Sequence, residues 1–265
     1  RDRLRSRGLG DVYKRQIPVI VLQTVAANLG SMATPVGNPQ NLFIYAKYSV
    51  PAGDFLGVVL PVAGASLVLL VLAVLFGPKD GIEVNFGERA EITHSRRLAL
   101  CIVLFIFCLL AVMRVVNYVA VTAVVFLTLL LVDRAALKQV DYCLLLTFVF
   151  FFIFAGNIGN IPVVNDTLSG MLNGSTFFTS LLASQVISNV PAAVLLAGFT
   201  EDWKGLLLGT DVGGLGTIIA SLASLISFKL YCATPGAKGG KYLLWFTVVN
   251  VAALALFIPL ALLLL

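Results

Sequence analysis

Charge is scarce in this sequence. Asp, Glu, Lys and Arg make up 12% of its 265 residues, hydrophobic residues 59%, and the mean hydropathy is +1.00. A soluble domain of this length wraps its core in a polar surface, and too few polar residues are present to make one. Histidine occurs once, as His94 in a charged loop. The four cysteines (Cys101, Cys108, Cys143 and Cys232) form no CxxC pair, and three lie in apolar runs as small hydrophobes. These shortages argue against a zinc site and against His-based catalysis. Paired acids are missing from the apolar segments too: Asp211 is the one carboxylate well inside a predicted span. A membrane-embedded enzyme would need an acid pair or a His/Cys/Glu metal set, so no enzyme is expected. No Walker-type glycine loop is present, which disfavours a primary pump. Nothing calls for a nucleic-acid partner or an organic cofactor.

What the chain does have is long apolar runs. Several approach the roughly 20 residues that cross a bilayer. Stretches such as "LVLLVLAVLF" do not alternate as barrel strands do. The expected fold class is an all-α polytopic membrane protein. We read a broken span at 17–48, a full span at 53–77 and a polar loop at 78–97. Spans follow at 98–116, 118–132 and 141–157, then a loop at 158–174. Residues 175–199 are apolar but interrupted at Ser188-Asn189-Val190-Pro191. Each arm has about 10 residues, too few to cross, so the segment reads as a re-entrant helical hairpin. A second broken span at 204–231 and a full span at 240–265 complete the chain.

Loop charges set the orientation. The side bearing loop 78–97 carries Lys79, Arg89, Arg96, Arg97, Arg134, Lys138, Lys229, Lys238 and Lys241, against Lys47, Arg114 and Lys204 on the other. The positive-inside rule then makes loop 78–97 cytoplasmic in a multi-pass inner or plasma membrane protein and leaves the C-terminus outside. Arg114, close to the turn at Val116-Asn117, is expected to snorkel to the outer interface. The count omits residues 1–16, "RDRLRSRGLGDVYKRQ", which hold six Lys/Arg and two Asp. That segment resembles translated sequencing-adapter read-through and is expected to be non-native; a genuine basic tail is the alternative.

The stretch "NLGSMATPVGNPQNLFIYAKY" (28–48) puts helix breakers and amides where lipid-facing residues would be expected. Shifted by 183 positions, it falls without a gap on "DVGGLGTIIASLASLISFKLY" (211–231). Gly30 meets Gly213, Thr34 meets Thr217, Leu42 meets Leu225 and Tyr48 meets Tyr231. By the charge count the two copies run in opposite directions, the signature of an inverted-repeat secondary transporter whose discontinuous helices meet near the midplane. Unwound backbone is tolerated there only when buried in protein or lining a wet cavity. Freed carbonyls can hold a cation, and half-helix N-termini favour an anion. Close helix packing is the competing explanation for Gly and Ser at these positions.

"ANLGSMATPVGNPQNLFIY" and "SQVISNVPAAVLL" resemble the ion transporter superfamily, which includes citrate transporters, divalent-anion/sodium symporters, arsenite permeases and some sodium/proton antiporters. The resemblance covers most of residues 17–265. It implies two inverted repeats, each with a hairpin and a broken helix. The family's hairpin tip reads Ser-Asn-Thr, here Ser188-Asn189-Val190, so one hydroxyl contact is lost. Its broken helix reads Gly-Thr-Pro-Pro-Asn, here Gly37-Asn38-Pro39-Gln40-Asn41. The second copy, Ala220-Ser221-Leu222-Ala223-Ser224, lacks both prolines. A first-repeat hairpin is expected ahead of Ile17 and is not seen there, so we expect an N-terminally truncated fragment with an incomplete first repeat.

The resemblance also implies two sites for a coupling ion, sodium or proton, with oxygen ligands suited to a hard cation. Ser184, Ser188, Asn189 and Ala220 are candidates for one; Gly30, Gly37 and Asn38 for the other. A small anionic substrate, with citrate and other di- or tricarboxylates foremost, would lie between them, touching Asn189, Thr217, Ser221, Thr34 and Asn38. The serine hydroxyls could instead bond back to their own helix. Asp211 is the coupling candidate, since an intramembrane acid is costly; capping a half-helix is the other reading. Arsenite or antimonite permeation and sodium/proton exchange are the alternatives within the family. The remaining expected partner is the lipid bilayer, with a homodimer as one assembly the family allows.

Overall fold

The computed structural model describes residues 2–76, 95–158, 160–234 and 236–265, with side chains described from residue 16 onward except at 144. Most of loop 78–97, including His94, therefore lies outside the described residues. All regular structure among the described residues is helical. The chain is an all-α polytopic membrane protein. It divides into two compact units, residues 1–78 with 150–265, and residues 79–149.

The larger unit is built on α1 (Asp2–Ser31), α3 (Ala52–Leu75) and α13 (Gly239–Leu262). Both α3 and α13 have 24 residues and are long and apolar enough to cross a bilayer. Each is apolar all round, so burial rather than polarity distinguishes its faces. On α3 the inward stripe is Phe55, Val58, Val59, Val62, Ala63 and Ser66, at helical spacing. Leu67, Val68, Val71 and Val74 point outward, as lipid contact requires. On α13 the inward residues include Tyr242, Phe246, Asn250 and Phe257. Tyr242 stacks on Tyr231 at 4.9 Å between centroids, and both pack with Ile17, Val21 and Phe246.

Between these spans lie the interrupted helices. α1 ends at Ser31 and α2 (Pro39–Lys47) begins eight residues later. α11 (Trp203–Gly213) ends and α12 (Leu222–Cys232) begins nine residues later. The breaks expected within 17–48 and 204–231 are thus present. The segment 175–199 folds as α9 (Thr176–Ile187) and α10 (Asn189–Leu196), packed together and joined at Ser188. Ser188 has φ +74°, a left-handed conformation that reverses the chain at a single non-glycine residue. At a rise of about 1.5 Å per residue the two arms reach about 18 and 12 Å, short of the roughly 30 Å hydrocarbon core.

α11 packs most extensively on α9. Its contact stripe is Gly205, Gly209 and Gly213, a small-xxx-small pattern that lets two backbones approach. A Cβ at Gly209 would run into the Ser180 hydroxyl and lie 2.5 Å from the Phe177 carbonyl oxygen.

One expectation needs correction. Residues 158–174 do not form a loop: Pro162–Gly174 is a helix, α8, begun by Pro162 at its first turn, where a missing N–H costs nothing. The polar residues that suggested a loop, Asn165, Asp166, Thr167 and Ser169, lie largely on its exposed side.

The smaller unit contains α4 (Ser95–Val112), α5 (Tyr118–Val132), the short α6 (Arg134–Lys138) and the first part of α7 (Tyr142–Ile158). Asn117 caps α5, accepting from Val119 N–H at 2.8 Å, and Asp133 caps α6. Arg114 sits in the α4–α5 turn with φ +60°. Cys101, Cys108 and Cys143 in this unit, and Cys232 in the larger one, are free thiols on outer surfaces.

Candidate functional site

The two interruptions have nearly the same local geometry. Asn38 caps α2 with φ −146° and ψ 157°, its side-chain oxygen accepting from Asn41 N–H at 3.0 Å. Ser221, 183 positions on, caps α12 with φ −145° and ψ 151°, its hydroxyl accepting from Ser224 N–H at 3.1 Å. The preceding turn is repeated as well. Gly37 N–H donates to the Thr34 carbonyl at 3.1 Å, and Ala220 N–H donates to Thr217 at 3.1 Å. The breaks therefore share the turn and the cap, but not the whole path: Gly216 has φ +103°, a conformation its counterpart Ala33 does not adopt.

The two breaks also grip each other, and reciprocally. Asn28, near the end of α1, donates to Ser224 Oγ in the first turn of α12 at 3.3 Å and to the Gly214 carbonyl at 3.2 Å. Its counterpart Asp211, near the end of α11, accepts on Oδ1 from Asn38 Nδ2 at 3.3 Å and from Gln40 Nε2 at 3.2 Å, both at the start of α2. Each first half-helix therefore binds the opening turn of the other copy's second half-helix. Asp211 is 1% exposed. It sits at the positive end of α2 and takes side-chain amides rather than the backbone N–H groups a capping role would use.

A cavity of about 310 Å³ opens where the breaks meet. Three helix beginnings converge on it: Asn38, Pro39 and Gln40 of α2; Asn189 and Val190 of α10; Ser221, Leu222 and Ala223 of α12. Ala27, Asn28 and Ser31 of α1 close the remaining side, and no lining residue is charged. Helix N-termini carry a partial positive charge, so three positive dipole ends face this neutral lining.

Of the residues expected at a site, Gly37, Asn38, Asn189 and Ser221 line this cavity together. Gly37 is required sterically, since a Cβ there would enter the Ser31 carbonyl. Ser188 and Ala220 lie next to the lining. The Ala220 carbonyl accepts from Asn189 N–H at 2.9 Å and from Ser188 Oγ at 3.4 Å, which ties the hairpin tip to the second break. The other expected residues lie outside the cavity lining. Ser184 is buried and donates back to the Ser180 carbonyl at 2.7 Å, the competing reading for that hydroxyl. Thr217 donates to the Gln185 carbonyl at 3.0 Å, away from the lining. Thr34 and Gly30 are exposed on the first break, with nothing within 4 Å of a Cβ added at Gly30.

Three amides, Gln40, Asn41 and Gln185, were not among the expected site residues. Gln40 and Asn41 surround Asp211, although both stand inside the quoted motif. Gln185, one turn before the hairpin tip, spans the second break: Nε2 donates to the carbonyls of Gly213 at 2.7 Å and Leu215 at 2.9 Å, and Oε1 accepts from Thr217 N–H at 2.9 Å. An amide between apolar residues of a short arm was the available signal, because such a group must find partners.

The sequence profile of the citrate transporter family matches residues 9–202. The chain belongs to that family. Among individual relatives of this citrate transporter family member, an uncharacterized transporter of Methanocaldococcus jannaschii is 32% identical over 232 residues, covering 88% of this chain and 63% of that protein. The inner membrane protein YbiR of Escherichia coli is 32% identical over 222 residues, covering 81% and 59% respectively. A silicon efflux transporter of Oryza sativa subsp. japonica is 36% identical over 92 residues, 31% of this chain and 19% of that protein. The chain thus spans about three fifths of the length of the first two relatives. No solved structure matches it.

Proposed function

We propose that the protein is a secondary active transporter of small anions, with di- and tricarboxylates such as citrate as the leading substrate class, driven by a sodium or proton gradient. The observation that carries this reading is the convergence of three helix N-termini on one uncharged cavity between two matched breaks. Each N-terminus contributes about 0.3–1 kcal/mol toward an anion in an exposed setting and up to about 2 kcal/mol when partly buried. Family membership and the name of the M. jannaschii relative support transport, and the positive-inside count supports a cytoplasmic loop 78–97. Asn38, Asn189 and Ser221 are the proposed substrate contacts.

A second reading, efflux of a weak oxyacid such as arsenite or silicic acid, is favoured by the uncharged lining and by the rice relative's name. Uptake in proteoliposomes distinguishes the two. Labelled citrate, succinate, arsenite and silicic acid would be followed with and without sodium and pH gradients. Gradient-driven carboxylate uptake is expected. Movement of the oxyacids alone would replace the leading reading, and movement of none would overturn transport of both classes.

A further inference from the structure

The cluster around Asp211 contains more buried oxygen than it has partners for. Oδ1 is held by Asn38 and Gln40, but Oδ2 is buried and has no hydrogen-bond partner. Asn41, 0% exposed, lies beside the same carboxyl, and its Oδ1 is also buried without a partner. Its nitrogen is occupied with the Met32 carbonyl at 3.2 Å. Buried polar atoms are otherwise almost always paired, so two orphaned oxygens in one cluster call for an explanation. Among the described side chains, the ionisable ones on the helices packed against α11 are Tyr45 and Lys47 of α2, Asp54 of α3, and Lys241 and Tyr242 of α13. The side chains that donate to Asp211 Oδ1, Asn38 and Gln40, are neutral amides of α2 and its cap. The described residues supply the acid and the oxygens, and no Lys or Arg is among the donors to Asp211 Oδ1.

We propose that Asp211 Oδ2, supported by the Asn41 carboxamide, is the seat of a small monovalent cation, and that this cation controls the anion cavity through Asn38 and Gln40. The inference rests on the transporter reading and deepens it. Hard, oxygen-seeking ions suit a carboxylate and a carboxamide oxygen, and both sodium and the proton supply the missing charge. The two amides that hold Oδ1 also line the cavity. With the seat vacant, their hydrogens are committed to the carboxylate and its negative charge opposes an anion in the cavity. With the seat filled, the repulsion is cancelled and the amide hydrogens can turn to the substrate. Cation and anion affinities are then linked reciprocally.

The test measures cation binding without any anion. The melting temperature of the purified protein would be followed against sodium at fixed pH, with choline as the control salt, and against pH without sodium. Sodium-dependent stabilisation identifies sodium; a pH dependence without sodium identifies the proton. Either dependence should vanish in Asp211→Asn and persist in Asp54→Asn. Gln40→Met removes a donor that competes for the carboxylate and should lower the half-effective cation concentration severalfold; it serves even if Asp211→Asn fails to fold. The proposal is overturned if the wild type responds to neither cation, if Asp211→Asn keeps the wild-type response, or if Gln40→Met leaves the midpoint unchanged. Because the readout needs no substrate, a transport assay that fails for every anion would count against the function and not against this site.

Discussion

Replacing Gln185 by methionine tests whether a single amide holds the second break in shape. Methionine keeps the length and flexibility of the side chain but removes two donated bonds and one accepted bond, at 2.7, 2.9 and 2.9 Å. Each hydrogen bond contributes a net of about 0.5–1.5 kcal/mol, so the loss comes to about 2–4 kcal/mol. The cost falls locally, on the Gly213 and Leu215 carbonyls and the Thr217 N–H, since α11 itself stays anchored on α9. Local opening of 214–221 should become about 30- to 1000-fold more frequent, at about 1.4 kcal/mol per decade. Amide hydrogen exchange of the purified protein reads this directly: peptides covering 214–221 should exchange faster by that factor, while those from α13 stay unchanged. Gln185→Glu should be worse than methionine, because an oxygen would face two carbonyl oxygens. A change below threefold at 214–221 in Gln185→Met would refute the clamp.

Other outcomes follow from the same geometry. Gly37→Ala should destabilise the protein by about 1–3 kcal/mol by overpacking against the Ser31 backbone, whereas Gly30→Ala, facing open space within a helix, should be neutral or stabilise by up to about 1 kcal/mol; thermal melts of the two variants compare them. Gly209→Ala should cost about 1–3 kcal/mol by separating α11 from α9, again read in thermal melts. Once the four native cysteines are replaced, an impermeant thiol reagent should label Glu88→Cys only from the cytoplasmic side and Leu264→Cys only from the outside; the opposite pattern would reverse the proposed orientation.

The sequence was most informative where physics leaves few options. Apolar runs of membrane length, the breaks after Ser31 and Gly213 and the reversal at Ser188 were readable because Gly, Pro and paired amides cannot sit in lipid without a reason. The loop at 158–174 was misread because Asn, Asp, Thr and Ser suggest a turn locally, whereas a helix tolerates them when one side is exposed. Thr34, Thr217 and Ser184 are typical ligand types, but position in the chain does not say which way a hydroxyl points: Ser184 returns to its own helix and Thr217 to the Gln185 carbonyl. Gln40, Asn41 and Gln185 could not be assigned because their partners lie up to 171 residues away, and such pairings exist only once the chain has folded.

The matched caps also show how two similar breaks can differ. Asn38 and Ser221 hold almost the same backbone angles because each offers one oxygen to the N–H three residues ahead. That requirement is met by several side chains, so drift between the copies is cheap for the fold. It is not neutral for the cavity wall, where asparagine brings two amide hydrogens and serine a single rotating hydroxyl. Exchange between cap residues is thus a way to alter selectivity while keeping the scaffold, and reciprocal swaps at 38 and 221 are where a directed-evolution library would begin.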